Sequence, residues 1–308
     1  MAERANELIF LVNGKSRSGA KSGDETREAL QAAGFTIKDY HLTSKVDQFD
    51  SLLRSALQRK EPLIAVGGGD GTLRHAAELV AGTDSVLAVV PLGTGNAWAK
   101  DLGIPVGPTE TAQALIGAGV EVIDLGVMNG RGFVNVATVG LTSLIVKNLP
   151  KGSKGMFGRL VYLPAVVRSL KELRPFELHV ETEGDSYSGM ALQFVAAAGR
   201  THAGPFKVTR RSSNHDGKLS LYALDSTDNK GLLKFGLALV AGVHTLLNEV
   251  WSCEANTAKV LTHPSKRVIV DGEPSGQTPL ELSVRPGALR VLVPSKAEPG
   301  AESEPQMK

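Results

Sequence analysis

The stretch that decides the fold is residues 63–80, LIAVGGGDGTLRHAAELV, in which an apolar run leads through a glycine-dense turn into a helix-like segment. Residues 63–66 predict a strand, and residues 73–80 predict a helix. Glycines at such a junction accept positive φ and leave backbone N–H groups bare, so the turn can wrap an anion at the helix N-terminus. The stretch therefore predicts a phosphate-binding loop.

Asp70 lies inside this loop and narrows its chemistry. A carboxylate beside bare phosphates is repelled unless a divalent cation screens the charges or the carboxylate takes a proton from an attacking hydroxyl. Asp70 therefore indicates phosphoryl transfer. By itself, however, Gly-Asp-Gly is more typical of an ordinary tight turn.

A second loop of the same kind follows the next predicted strand. Residues 86–90, VLAVV, run into PLGTGN at 91–96 and then into a helix-like segment at 97–102. Two consecutive parallel strands place their terminal loops at the carboxyl edge of one sheet, where α/β folds bind ligands. The pair of loops therefore predicts one shared site.

The two halves of the chain follow different patterns. Strand-like and helix-like runs alternate up to Gly119, which predicts a doubly wound, mostly parallel sheet in an α/β domain of residues 1–125. Asn129-Gly130 then suits a type I′ hairpin turn. Further strand-like runs with few helices between them predict an antiparallel, β-rich domain of residues 126–287. These runs are 176–182, 191–198, 219–224, 258–261, 267–270, 280–284 and 289–293.

Composition sets the broad class of the protein. Its 308 residues favour two domains, and 42% hydrophobic residues, 21% charged residues and a net charge of +2 are typical of a soluble globular protein with no bias towards nucleic acid. The single cysteine, Cys253, excludes an intramolecular disulfide, and the lack of a signal-like start favours the cytosol. Lys234 and Glu249 interrupt the apolar residues 232–250, so no membrane span is predicted. The tail, residues 297–308, is rich in Glu, Pro and Ser and is predicted to be disordered.

The first predicted strand ends in NGKSRSGAK, residues 13–21. Gly14-Lys15-Ser16 is not part of a Walker A motif, because Ile9 stands where that motif requires a glycine. The sequence therefore excludes a P-loop at this position.

Together, GGDGT at 68–72 and PLGTGN at 91–96 resemble the diacylglycerol kinase catalytic-domain family of lipid kinases, which includes sphingosine and ceramide kinases and soluble bacterial diacylglycerol and phosphatidylglycerol kinases. The first motif is shared with NAD kinases, whereas the pair is specific. The resemblance implies Mg²⁺-assisted transfer of the γ-phosphate of ATP to a hydroxyl of a membrane lipid. It also implies a β-sandwich second domain, an active site in the cleft between the domains, and a final strand, 288–296, that returns to the first domain.

The resemblance implies nucleotide-binding residues on three loops. Asn13 and Gly19 match the first loop of the family, in which Gly14 replaces a proline. Lys15 is also typical of a solvated turn, and Thr72 of a helix N-cap. The implied nucleotide-binding residues are Asn13, Lys15, Gly68, Gly69, Gly71, Thr72, Gly93, Thr94, Gly95 and Asn96.

Two later Asp-Gly pairs complete the predicted site. Taken alone, residues 216–217 and 271–272 are more typical of hairpin turns. In the family, however, one Asp-Gly element lies near a structural Mg²⁺, and a Val-Asp-Gly-Glu element, matched in full by residues 270–273, lies near the reacting phosphate. The resemblance implies metal ligands Asp216 and Asp70, and catalytic residues Asp271, Asp70 and Glu273.

The general base stays open between Asp70 and Asp271. A carboxylate that shares Mg²⁺ has a lowered pKa and makes a poor base, so the residue farther from the metal is expected to take the proton. Our hypothesis is that Asp271 is the base and that Asp70 organises Mg²⁺-ATP through water.

The acceptor side is less well defined. Thr142 and Ala97 stand where many family members have acids. Three functions therefore stay open: a kinase for diacylglycerol, phosphatidylglycerol or a sphingoid lipid, a small-molecule kinase similar to NAD kinase, and a catalytically inactive nucleotide- or lipid-binding regulator. The oligomeric state is not encoded in any pattern of the sequence.

The segment 147–174 carries an excess of lysine and arginine. It is predicted to be a mobile basic loop that contacts an anionic membrane, since each cation near such a surface adds about 1 kcal/mol of attraction. A merely solvated loop is the alternative. The prediction is thus a cytoplasmic protein that associates peripherally with a membrane.

Overall fold

The structure, a computed structural model, describes residues 6–15, 19–149, 158–199, 201–202, 206–207, 214–225, 229–240 and 243–294. The tail at 297–308 and residues 150–157 of the basic segment lie outside the described residues. Within the ranges given above, no helix is long and apolar enough to span a membrane.

The elements fall into two groups along the chain. The first group alternates strands and helices: β1 (Glu7–Asn13), α1 (Gly19–Ala32), β2 (Thr36–Thr43), α2 (Val46–Gln58), β3 (Leu63–Gly68), α3 (Asp70–Val80), β4 (Val86–Pro91), α4 (Ala97–Asp101), α5 (Pro108–Ile116) and β5 (Gly119–Met128). The second group is mostly strands: β6 (Arg131–Phe133), β7 (Val136–Gly140), α6 (Leu141–Asn148), α7 (Gly158–Glu172), β8 (Phe176–Thr182), β9 (Ser186–Ala197), β10 (Thr201–His202), β11 (Phe206–Lys207), β12 (Leu219–Asp225), α8 (Asn229–Val240), a 3₁₀ turn (His244–Leu246), β13 (Val250–Ala255), β14 (Thr257–His263), β15 (Arg267–Val270), β16 (Glu273–Gln277) and β17 (Leu280–Val293).

Four strands of the first group form a parallel sheet in the order β2-β1-β3-β4. β1, β3 and β4 are nearly continuous buried apolar runs, as expected for strands covered on both faces. The strand order reverses between β1 and β3. Their carboxyl ends therefore flank the switch point at which such sheets bind ligands.

β17 joins the two groups of strands into one sheet. The first part of β17 pairs antiparallel with β14, and its last part pairs parallel with β4. β5 pairs antiparallel with β17 along most of the length of β17. Beyond β14 the sheet continues antiparallel through β8, β9, β7, β15 and β16. The predicted fold class, a mostly parallel α/β sheet followed by an antiparallel β domain, is confirmed.

The predicted hairpin at Asn129-Gly130 is confirmed. The two residues have φ of 49° and 79°, and they connect β5 to β6 with Met128 opposite Arg131. Positive φ at both central positions defines the type I′ turn, which matches the twist of the strands that it joins.

Two local predictions are wrong. Residues 280–284 and 289–293 are not separate strands, because β17 runs through both and absorbs Pro286 and Gly287 in a register shift between Arg285 and Leu289. Residues 158–172 are not a loop but helix α7, which packs with α6 and contributes Leu173, at its end, to an apolar cluster on the second-domain sheet. Leucine, alanine, arginine and lysine along α7 favour a helix.

Candidate active site

The two glycine loops meet at the carboxyl edge of the parallel sheet. Gly68 lies opposite Pro91 in the β3–β4 ladder, and the N–H of Leu92 donates to the Gly68 carbonyl at 2.9 Å. Beyond the ladder, the backbones of Gly69 and Gly93 approach so closely that a Cβ on Gly93 would lie 2.5 Å from the Cα of Gly69. The prediction that both loops share one edge is confirmed.

The start of α3 has the features of an anion site. Gly69 is the N-cap residue and no side-chain cap bond is made there within the described part of the chain. The N–H groups of a first helical turn lack intrahelical acceptors, and together they attract negative charge. The N–H groups at 70–72, in half-buried residues, therefore suit a phosphate group.

The loop after β1 is joined to α3 by a side-chain hydrogen bond. Asn13 Nδ2 donates to Thr72 Oγ1 at 2.8 Å, and Asn13 Oδ1 accepts from the N–H of Lys15 at 3.0 Å. The Thr72 hydroxyl is thus engaged with β1 rather than serving as a helix cap. The structure thus joins the loop after β1 to the phosphate loop after β3, and the two loops lie on either side of the switch point.

Asp70 links the two glycine loops. Its Oδ1 accepts hydrogen bonds from the N–H groups of Ala97 at 2.6 Å and Trp98 at 3.4 Å, so Asp70 caps the N-terminus of α4. Burial raises the pKa of Asp70, and these backbone hydrogen bonds oppose the rise. Ala97 contributes only its backbone N–H to this contact.

Asn96 shapes the second loop from within. Its φ is 50°, its side chain is 2% exposed, and its amide both accepts from the N–H of Gly93 and donates to the Gly93 carbonyl, each at 2.9 Å. Lys100 Nζ donates to the carbonyl of Gly95 at 2.6 Å. Both the oxygen and the nitrogen of the Asn96 side-chain amide therefore make hydrogen bonds inside the loop, whereas Thr94 and Gly95 lie at the surface of the loop.

Asp271 lies in a tight turn between β15 and β16. Its φ is 48° and it is only 8% exposed. Oδ1 accepts from the N–H groups of Asn135 at 2.9 Å and Val136 at 3.0 Å, and Oδ2 accepts from Val134 at 3.0 Å. Burial raises the pKa of Asp271, while these three hydrogen bonds and the nearby Arg74 lower it.

The Asp271 turn, in the second half of the chain, contacts α3, in the first half. Arg74 Nη1 lies 3.5 Å from the Val270 carbonyl oxygen, at the limit of a hydrogen bond. The Glu273 carboxylate lies against Gly71, since a Cβ on that glycine would be 3.1 Å from Glu273 Oε2. The structure therefore brings Glu273 and the Asp271 turn to the phosphate loop.

Asp216 lies at the other end of the sheet. Its neighbour Gly217 donates through its N–H to Asp124 Oδ2 at 2.8 Å, and Asp124 Oδ1 accepts from the N–H of Gly287 at 2.8 Å. Gly287 precedes the part of β17 that pairs with the first residues of β4, so this cluster is at the amino edge of the parallel sheet. Asp216 accepts a hydrogen bond from the N–H of Lys218 at 3.1 Å. The two predicted metal ligands, Asp216 and Asp70, therefore lie at opposite edges of the parallel sheet.

Asp124, which sequence reasoning missed, is expected to matter for stability. It is 3% exposed and holds two glycine N–H groups from distant segments. Asp124→Ala should lower the free energy of unfolding by about 2–4 kcal/mol, because each N–H that loses its acceptor costs about 1–3 kcal/mol. Urea unfolding measures the change. The control is Asp84→Ala, at a 96% exposed side chain, and equal midpoints for the two variants would contradict the assignment.

The site fits a metal that arrives with the nucleotide. Among the described residues, no three His, Cys, Asp or Glu side chains are grouped to hold a metal ion. Mg²⁺ in nucleotide sites typically takes one or two carboxylates, the substrate phosphates and water. Asp70 beside the phosphate loop satisfies that requirement without a dedicated cage of carboxylates.

Comparison with known proteins assigns the family. Residues 7–128 match the diacylglycerol kinase catalytic domain, and residues 136–293 match the YegS C-terminal NAD kinase beta sandwich-like domain. The chain belongs to the diacylglycerol kinase family. Membership makes it a kinase of the lipid kinase group, with ATP as the co-substrate that the family implies, and its second half is the family's β-sandwich domain.

Other members of the diacylglycerol kinase family match this chain over most of its length. A diacylglycerol kinase of Bacillus subtilis (strain 168) is 28% identical over 275 residues, which are 88% of this chain and 90% of the relative. A probable lipid kinase YegS-like from Pseudomonas aeruginosa (strain UCBPP-PA14) is 32% identical, covering 94% and 95% of the two chains. A crystal structure of a putative diacylglycerol kinase from Bacillus anthracis str. Sterne superimposes with a TM-score of 0.77 at 24% identity, over 95% of this chain and 97% of that one, which shows the common fold.

Thr142, the other departure from the family pattern, is engaged with a buried residue. Its N–H donates to Gln193 Oε1 at 2.9 Å, and Gln193 Nε2 donates to its hydroxyl at 2.8 Å. This reciprocal pair fixes the start of α6 against β9. The backbone N–H and the hydroxyl of Thr142 are thus both hydrogen-bonded to the side chain of Gln193.

Proposed function

We propose that this member of the diacylglycerol kinase family transfers the γ-phosphate of ATP to a hydroxyl of a membrane lipid of the diacylglycerol type. The observation that carries the proposal is the contact of the Asp271 turn with α3 at the phosphate loop. It supports a reaction centre at which a carboxylate from the second domain meets a nucleotide held by the first. Phosphatidylglycerol and sphingoid lipids are the alternative acceptors of the same chemical class.

In the proposed reaction the lipid hydroxyl oxygen forms a bond to the γ-phosphorus, and the bond from that phosphorus to the β–γ bridging oxygen breaks. ADP carries away the electron pair, and Asp271 takes the hydroxyl proton. Most of the catalysis of such a transfer is alignment and charge neutralisation. N–H groups at the start of α3 and in the Gly93 loop supply the alignment.

Asp271 suits the role of base better than Asp70. Burial raises the pKa of both carboxyls, but Asp70 would also share Mg²⁺ with the phosphates, and a nearby cation lowers the pKa of a carboxyl and makes it a poorer base. Its Oδ2 accepts one backbone N–H whereas Oδ1 accepts two, which leaves Oδ2 with free capacity for a proton. Asp70 would hold Mg²⁺ together with the phosphates, and the ion when bound would neutralise their charge.

A transfer assay tests the proposed function. Purified protein is incubated with γ-labelled ATP, Mg²⁺, NAD and vesicles of mixed lipids, and the products are extracted and identified by mass spectrometry. We expect a labelled lipid, and its mass identifies the acceptor. Labelled NADP without labelled lipid would favour a small-molecule kinase similar to NAD kinase, and binding of ATP without any product would favour an inactive regulator.

We further propose that α7 contacts the membrane. Val167 is 47% exposed and lies beside Arg168 and Lys171 on the outward side of the helix. Glu172 is shared by Lys147 at 3.0 Å and Arg168 at 3.4 Å, so the local charge stays positive. Apolar side chains among cations are typical of helices that lie in the bilayer interface.

Vesicle binding tests the α7 surface. Lys171→Glu should weaken binding to vesicles that contain phosphatidylglycerol by about 10-fold, since each cation near an anionic surface contributes about 1 kcal/mol and the change replaces attraction by repulsion. Co-sedimentation measures binding, and vesicles of phosphatidylcholine alone should bind both proteins weakly. Lys45→Glu, at an exposed lysine beside α2, is the control. Equal losses in both variants would exclude a specific contact by α7.

A further inference from the structure

Arg74 occupies a position that no motif of the sequence marks. It lies on α3, one helical turn after Asp70, and it is half-buried. Its Nη1 points to the carbonyl of Val270, a residue 196 positions away, at 3.5 Å. A side chain of the first domain thus reaches the residue that immediately precedes Asp271.

Arg74 carries a positive charge close to a turn that contains carboxylates. Glu273, on the strand that follows the turn, lies against Gly71, and Glu78, one helical turn after Arg74, lies against Gly132 of β6. Both are carboxylates, whereas Arg74 is a cation whose charge lowers the pKa of Asp271. No ion pair within 4.0 Å joins Arg74 to a carboxylate in the described part of the chain, so its charge is not neutralised by a direct partner.

We propose that Arg74 is a positioning residue that holds the Asp271 turn against the phosphate loop and favours the ionised carboxylate there. The inference rests on the proposed function, in which Asp271 accepts the hydroxyl proton. Arg74 does not touch the reacting atoms in this proposal. It acts through the Val270 carbonyl, which fixes the turn, and through its charge, which opposes the effect of burial on Asp271.

The sign of the electrostatic effect follows from the two forms of Asp271. A nearby cation stabilises the ionised carboxylate and therefore lowers its pKa. Loss of the cation raises that pKa, so a higher pH is needed to ionise the base. The acidic limb of the pH–rate profile should then move to higher pH, which a purely structural role of Arg74 would not cause.

Steady-state kinetics of Arg74→Gln, Arg74→Lys and Arg54→Gln provides the first test. We expect Arg74→Gln to lower kcat about 10- to 100-fold, to leave the KM for ATP within about 2-fold, and to move the acidic limb upward by about one pH unit. Arg74→Lys keeps the charge, so the acidic limb should return towards that of the wild-type protein. Arg54, an exposed arginine on α2, serves as the matched control. An acidic limb unchanged in Arg74→Gln would overturn the proposal.

A second measurement does not depend on catalytic activity. The carboxyl carbon of Asp271 is followed by NMR during a pH titration, with the signal assigned by its absence from Asp271→Asn. We expect a higher apparent pKa in Arg74→Gln than in the wild-type protein and in Arg54→Gln, and an equal pKa in all three would refute the inference. If the wild-type protein phosphorylates no acceptor, the proposed function fails, whereas this titration still decides the role of Arg74.

Discussion

Asp271→Asn is expected to lower kcat by about 10²- to 10⁴-fold, the range that a general base typically contributes. The amide cannot take the proton of the lipid hydroxyl, whereas the nucleotide still binds to loops of the other domain. The Kd for ATP should therefore change by less than about 3-fold, which is under 1 kcal/mol. Steady-state kinetics at saturating substrates and equilibrium binding of ATP measure the two quantities.

The effect of Asp271→Asn on catalysis can be measured separately from its effect on stability. Asparagine tolerates the φ of 48° at this position, but its amide group faces one of the three backbone N–H donors, so the free energy of unfolding should fall by about 1–3 kcal/mol. Urea unfolding shows whether the variant is folded under assay conditions. Asp84→Asn, at an exposed aspartate, is the matched control. A folded Asp271→Asn variant with the kcat of the wild-type protein would exclude Asp271 as the base.

Gly93→Ala should remove most of the nucleotide affinity. A Cβ at this position would lie 2.5 Å from the Cα of Gly69 and 2.9 Å from Asn96 Oδ1, so the two loops must move apart. The first of these neighbours is backbone and cannot turn aside. We expect kcat/KM for ATP to fall at least about 100-fold, since a misplacement of about 1 Å in a positioning contact has an effect of that size.

Gly117→Ala is the control for the effect of the added methyl group. A Cβ on Gly117 would meet nothing within 4 Å, and this glycine lies at the end of α5. Calorimetric titration with ATP in the presence of Mg²⁺ measures the Kd for ATP in the two variants and in the wild-type protein. Full ATP affinity in a folded Gly93→Ala variant would mean that the close approach of the loops is not required for binding.

The parts of the site that the sequence predicted are those encoded within a few neighbouring residues. The apolar runs before 67–72 and 91–96 have strand length, and their glycines mark a sharp turn into a helix. Because parallel strands share an edge, the meeting of the two loops followed from these local patterns. The type I′ turn at Asn129-Gly130 was predictable for the same reason.

The parts that the sequence did not predict depend on contacts between distant segments. Arg74 and Val270 are 196 residues apart, and Asp124 and Gly287 are 163 apart, so no window of sequence contains either pair. Asn96 stays a predicted nucleotide-binding residue, and its amide also closes the loop on Gly93. No pattern in the sequence marks that second role, which only the backbone geometry around Asn96 shows.

The course of β17 makes the two halves of the chain depend on each other for folding. Fourteen consecutive residues, Leu280–Val293, provide hydrogen-bonding partners for β14 at one end and for β4 at the other. Because one strand is hydrogen-bonded to both groups of strands, the two halves of the chain share a single sheet. Either half expressed alone would expose an unsatisfied ladder of peptide groups, a template for aggregation. We therefore expect the two halves to fold as one unit and neither half to be stable when it is expressed alone.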